Sequence, residues 1–119
     1  MELRILNTAN KNIAEVVSEK IEIRNVQDAL DLMANATYQR ARRVVVHERN
    51  LEPAFFDLRS GMAGEIMQKC VIYQMKLAIV GDFEKYTSTS LLALIRECNR
   101  GNDIFFVPDL DTALKKFIP

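Results

Sequence analysis

Within the stretch FFDLRSGMAGEIMQKC, Phe55 to Cys70, an aspartate, an arginine, a serine and two glycines fall together where a helical pattern begins. Two chemistries fit those residue types. The first is phosphorylation of Ser60: a phosphate adds about −1.5 to −2 charges, and a helix start favours negative charge by about 0.3–1 kcal/mol. Arg59 is adjacent and offers a cationic partner, whereas Asp57 adds a negative charge close by. The second is hydrolysis, with Ser60 as nucleophile, His47 as base and Glu48, Asp57 or Asp82 as the acid; that set needs an oxyanion hole and a nucleophile elbow, and no G-x-S-x-G signature is present. A plain cap explains the same residues. With Asp57 as N-cap, Ser60 is the third helical residue, its N–H directed at the Asp57 carboxylate and its hydroxyl at solvent.

The neighbouring residues sharpen the choice. Gly61 and Gly64 fall inside the predicted helix, where each costs roughly 1 kcal/mol relative to alanine. Close approach of the helix to the sheet or to another helix is the expected compensation; the alternative is a backbone surface left open for a partner or an anion. The segment is no phosphate loop, because it lacks the Gly-Lys-Ser/Thr ending and the chain has no G-x-G-x-x-G. Phe55 and Phe56 are consecutive, so in an extended segment one enters the core and the other faces out as a partner contact, unless it folds under its own loop. The partner-binding candidates are thus Phe55, Phe56, Asp57, Arg59, Gly61 and Gly64.

Other chemistries find less. With one histidine, two isolated cysteines and no carboxylates at ligand spacing, no metal site is expected, and no cofactor motif suggests a bound cofactor. Cys70 and Cys98 fall on the apolar sides of predicted helices and read as buried thiols in a reducing compartment. Arg40, Arg42 and Arg43 make a small basic cluster after the first helix, expected to be solvated and to favour that helix's carboxyl end; no aromatic interleaving supports nucleic-acid binding.

The elements that position these residues follow from periodicity. Leu3 and Ile5 on one side of NTANKN and Ile13 to Val17 on the other suggest an antiparallel hairpin, with Ile21–Ile23 as a further extended piece. Asn25 caps a helix carrying Val26, Ala29, Leu30, Met33 and Ala36 at helical spacing, with Asp28 in its first turn. VVVHE from Val44, LAIVG from Leu77 and IFFVP from Ile104 are apolar runs typical of strands buried on both faces. Between them lie two helical patterns, one with Met62, Ala63, Ile66, Met67 and Cys70, the other with Leu91, Leu92, Leu94, Ile95 and Cys98, framed by a cap among Thr87 to Ser90 and by Gly101. A last helix starts near Asp109, with Leu110, Ala113, Leu114 and Phe117 on one face and Lys115 and Lys116 near its end. The order strand, strand, helix, then strand–helix three times implies an α/β fold: about five strands, mixed at the amino-terminal hairpin and otherwise parallel, with about four helices. The long irregular segment Glu48–Phe56 leaves the carboxyl end of a buried strand, where sites in such sheets usually form.

The chain has 119 residues, 49% hydrophobic and 27% charged, which fits one domain over residues 1–119. Sixteen basic and sixteen acidic residues cancel, so no global pull toward nucleic acid or anionic membrane is expected. MELRILNTAN lacks the apolar core of a signal peptide and no apolar run is long enough to span a bilayer, so the expected location is cytoplasmic.

RRVVVHERNLEPAFFDLRSGMAGEIMQK followed by KLAIVGDFEKY and IFFVPDLDTALKKF resembles the STAS fold of anti-sigma-factor antagonists and sulphate-transporter tails. In that family an Asp-Ser-Ser/Thr-Gly motif at a helix start is phosphorylated on its second hydroxyl by a partner kinase, which switches partner binding. The resemblance places Ser60 and Gly61 at the phosphorylated hydroxyl and its glycine; Asp57 matches the motif aspartate only with one residue inserted, and Arg59 stands where a serine would be. VQDALDLMANA, FFDL, GMAGEI and LAIVGDF are similar, more closely, to a bacterial family known only as a domain of unknown function. The function expected is a non-catalytic regulatory module that binds a protein partner, a regulator or kinase, through Phe55–Gly64, with Ser60 as its switch. Ser60→Asp should then change partner binding with little change in melting temperature. A small hydrolase using Ser60 and His47, a carrier of small apolar or anionic ligands beneath the Phe55–Phe56 loop, and a homodimer remain open.

Overall fold

The computed structural model describes residues 1–118. The chain runs β1 (Leu3–Thr8), β2 (Lys11–Val16), α1 (Val26–Tyr38), β3 (Arg43–His47), three short 3₁₀ turns (Glu48–Asn50, Pro53–Phe56, Leu58–Ser60), α2 (Met62–Ile72), β4 (Lys76–Val80), α3 (Thr89–Arg100), β5 (Ile104–Val107) and α4 (Leu110–Phe117). The five strands form one sheet in the order β1-β2-β3-β4-β5. The first pair is antiparallel, with Thr8 opposite Lys11, and each later pair is parallel. The strands enter the polar NTANKN segment further than its composition suggests. Only Ala9 and Asn10 turn, at φ 52° and 64°, a two-residue geometry whose twist matches the strands it joins. Of Ile21–Ile23, expected to be extended, only Ile23 makes a β-bridge, to Leu51.

Side chains alternate between the sheet's two faces, and the faces are covered unequally. Ala14, Val16, Val44, Val46, Leu77, Ile79, Ile104 and Phe106 meet α1, α2 and α3 in the larger core. Ile13, Val45, Ala78, Phe105 and Val107 meet α4 alone through Ala113 and Phe117, with the Phe105 and Phe117 rings 6.0 Å apart edge to face. Burying each of these valines is worth about 1.5–3 kcal/mol.

The caps set the helix limits. Asn25 Oδ1 accepts the Asp28 N–H at 2.9 Å, Ser88 Oγ the Leu91 N–H at 3.2 Å, and Asp109 Oδ1 the Thr112 N–H at 2.7 Å. Helices α1 and α2 end without glycine. Arg40 (φ 63°) and Gln74 (φ 56°) take the left-handed conformation, so the N–H of Ala41 reaches Ala36 O and that of Met75 reaches Cys70 O, both at 2.8 Å. This closure satisfies orphan carbonyls at the helix end. Arg42 is not simply solvated: its Nη1 donates to Tyr73 O at 3.1 Å, at the carboxyl end of α2.

Candidate functional site

The segment between β3 and α2 is a chain of three turns fixed by one buried side chain. Asn50, fully buried, accepts the His47 N–H on Oδ1 at 3.0 Å and donates from Nδ2 to Ser18 O and Lys20 O at 2.9 and 2.8 Å. Its own carbonyl accepts the Glu22 and Ile23 N–H groups, both at 2.9 Å. A buried amide with every group paired holds the Ser18–Ile23 segment rigidly against the loop. Nothing in composition or spacing marks this asparagine, because the partners of its amide N–H groups lie about thirty residues away and are backbone carbonyls.

The Phe55–Gly64 region differs in several details from the sequence expectation. Pro53–Phe56 is a 3₁₀ turn and not an extended strand, so both rings turn inward: Phe55 is 0% and Phe56 9% exposed, leaving neither ring for a partner to grip. Asp57 caps the next turn and not α2, accepting the Arg59 N–H at 3.2 Å and Arg59 Nε at 3.3 Å. Ser60 therefore precedes α2. Its N–H goes to the Asp57 carbonyl at 2.9 Å, not to the carboxylate. Gly61 lies outside the helix as the N-cap of α2, at φ 79°, where an L side chain is strained.

Ser60 itself is exposed, yet its hydroxyl is engaged. Oγ donates to Ala54 O at 2.6 Å and accepts the Met62 N–H at 3.2 Å. One oxygen thus ties the Pro53–Phe56 turn to the first N–H of α2. Gly64 contradicts the expectation of tight packing: it is exposed, and a Cβ built there has no neighbour within 4 Å.

His47 and Ser60 belong to different faces. Val46 points into the core under α1–α3, so the next side chain, His47, points to the α4 face. There its Nε2 lies 2.8 Å from Glu15 Oε2, a carboxylate only 6% exposed. Arg4 approaches the other oxygen of Glu15 at 3.6 Å, too long for a hydrogen bond. Ser60, by contrast, is bonded to Met62, part of the opposite core. The candidate acids are engaged elsewhere too: Asp82 accepts the Glu84 N–H at 3.1 Å, and Glu48 bonds Tyr86 and Lys85.

That last group builds the rim at the carboxyl ends of the parallel strands. The Tyr86 hydroxyl donates to Glu48 Oε2, and Lys85 Nζ lies 2.9 Å from the same oxygen. Burial pushes the Tyr86 phenol pKa well up, helped by its hydrogen bond to Glu48 and by that carboxylate's charge, so the phenol stays protonated and a donor. Gly81 makes room for this arrangement: a Cβ there would lie 2.7 Å from both Cβ and Oε1 of Glu48. The Tyr86 ring stacks on Phe56 at 5.2 Å and on Phe83 at 6.4 Å. Phe83 in turn meets Phe106 edge to face at 5.2 Å. The sequence reading missed Asn50, Gly81, Lys85 and Tyr86; the aromatic spacing in DFEKY was the one local signal, and it names no partner.

Both cysteines are free. Cys70 is buried as expected, and burial pushes its thiol up to about 12. Cys98 is only half-buried, with Sγ 3.9 Å from Met67 Sδ. Among the described residues, no group of three or more His, Cys, Asp or Glu side chains is placed to hold a metal ion, and no helix is long and apolar enough to cross a membrane.

Fold and rim together define an α/β protein with a five-stranded mixed sheet, three helices on one face, one on the other, and a loop-built rim at the carboxyl ends of its strands. By sequence comparison the chain belongs to the family described as Domain of unknown function (DUF4180), which it matches over residues 8–117. No curated protein and no solved structure matches it.

Proposed function

We propose that this chain is a non-catalytic regulatory module related to STAS domains, that it binds a protein partner through the exposed surface of residues 53–65, and that phosphorylation of Ser60 is its switch. The observation that carries the reading is Gly64. Gly64 is an exposed glycine in the first turn of α2, where glycine costs up to about 0.5–1 kcal/mol relative to alanine, and no packing inside the chain compensates. A partner lying against the helix backbone at that point supplies the compensation. Ser60, Arg59 and Asp57 are exposed beside it, so a modification at Ser60 falls within the contact surface.

The chemistry of a switch follows from the two hydrogen bonds. Transfer of a phosphoryl group from ATP by a kinase would replace the hydroxyl proton, so Ala54 O loses its donor and meets an anion instead. The α2 N-terminus still welcomes the negative charge. The net effect is release of the Pro53–Phe56 turn, a local electrostatic event read out as a change in surface. This corrects the idea that the hydroxyl is free in solvent: substitution at Ser60 costs folding stability as well as binding. A reducing, intracellular setting belongs to the same proposal, since both thiols are free.

The test compares partners that co-purify with wild type, Ser60→Ala, Ser60→Asp and Gly64→Ala. A specific partner retained by wild type and lost on either Ser60→Asp or Gly64→Ala supports the reading. The same partner retained equally by all four proteins removes it.

A further inference from the structure

Beside the turn that Ser60 ties down, the rim contains a cleft of about 400 Å³, within the size range of small-molecule sites. Its exposed apolar surface comes from Ile21, Pro53 and the ring of Tyr86, over the buried Leu51 and Phe56; the Tyr86 ring is stacked on Phe56, 19° from parallel. Its polar groups are Glu48, Arg49 and Lys85. The carboxylate of Glu48 already serves the Tyr86 hydroxyl and Lys85, so its charge is answered from within. The two cations keep capacity. Lys85 is 56% exposed, with Nζ on one side of Glu48 and 5.5 Å from the Tyr86 ring centroid. Arg49 is held through Nε, which donates to Ser18 O at 3.0 Å and faces the exposed Glu19 at 3.4 Å. Both contacts run through Nε, which leaves the two terminal nitrogens of the guanidinium as donors in the planar fork that matches a carboxylate.

We propose that this cleft binds a small carboxylate with a flat apolar body, the ring lying against Ile21, Pro53 and the exposed edge of Tyr86 and the anion between Arg49 and Lys85. The neighbouring cleft across the Gly81–Tyr86 loop, about 720 Å³, provides the contrast. It too offers aromatic surface, at Phe83 and Phe106, but its charged lining residues are Asp82 and Glu84, which repel an anion. The walls of the proposed site are also preformed. Asn50 locks the loop carrying Arg49 to Ser18–Ile23, and Ser60 holds the turn carrying Pro53 and Phe56. The site needs no phosphate on Ser60, and it shares Pro53 and Phe56 with the surface proposed for a partner.

Titration of the whole protein with 2-naphthoate, followed by backbone amide shifts, tests the proposal, with 2-naphthalenemethanol as the uncharged ring control. The expected result is saturable shifts at Arg49–Leu51, Phe56, Lys85 and Tyr86, with binding about 5-fold or more weaker for the alcohol. Lys85→Met, an exposed substitution that keeps the apolar stem, should weaken naphthoate by about 3- to 10-fold and leave the alcohol unchanged. Equal affinity for acid and alcohol, shifts centred on residues outside the cleft, no saturation at millimolar ligand, or full affinity in Lys85→Met would each overturn it.

Discussion

Alanine at Gly64 separates an internal from an external reason for the glycine. The position is the third residue of α2, in its first turn, and a Cβ there meets nothing within 4 Å, so the substitution adds no clash. What remains is the backbone entropy that glycine loses on folding, about 0.5–1 kcal/mol in favour of alanine. For a chain of 119 residues, the unfolding entropy near the midpoint is about 250 cal/mol/K, so the melting temperature should rise by about 2–4 °C. Calorimetry gives the shift directly, and a denaturant titration with an unchanged m-value checks that the surface exposed on unfolding has not changed, as expected when the gain is lower entropy of the unfolded chain. A midpoint unchanged or lowered would refute the reasoning, because it would mean that Gly64 is needed by the chain itself and no longer points to a partner.

Gly81→Ala should do the opposite, costing about 1–3 kcal/mol, because the new methyl would sit 2.7 Å from Glu48 Cβ; urea unfolding measures the loss. Ser60→Ala removes both the bond to Ala54 O and the acceptor for the Met62 N–H, and should cost about 1 kcal/mol, with faster amide exchange confined to the turns before α2. Native protein treated with iodoacetamide should be alkylated first at the half-buried Cys98, and at Cys70 only on unfolding, since burial holds that thiol at a pKa of about 12; peptide mapping over time shows the order. Asp28 is held below the ordinary carboxylate pKa, chiefly by the Arg24 backbone N–H and further by the Arg24 guanidinium, against an opposing desolvation. The stability this carries is present above the unfolded carboxylate pKa and lost as pH falls through the lower folded value, so Asp28→Asn should flatten the stability profile below about pH 4.

Much of the fold was legible because it is written in short-range patterns. The VVV, LAIV and IFFV runs, the apolar spacing of the four helices, and the caps at Asn25, Ser88 and Asp109 all occupy the places the residues suggest. Local signals failed where the backbone took an uncommon conformation for the residue present. Arg40 and Gln74 close two helices that show no glycine, and the polar NTANKN segment is mostly strand. At the candidate site, the exposure of Ser60, Asp57 and Arg59 agrees with the reading of a surface segment, whereas Phe55 and Phe56 are buried because a 3₁₀ turn replaces the extended conformation that would have sent them apart.

The order of elements, the antiparallel hairpin followed by parallel strands, and the placement of the Ser60 segment at a helix start were determined by the sequence alone, since periodicity and capping act over a few residues. Tertiary structure decided that His47 meets Glu15 on the face opposite Ser60, that Asn50 welds Ser18–Ile23 to the loop, and that Glu48, Lys85 and Tyr86 converge at one rim. Those outcomes depend on which faces of distant segments are brought together when the sheet closes its two cores, and a local pattern of polar and apolar residues encodes that a face must be buried without encoding what will bury it.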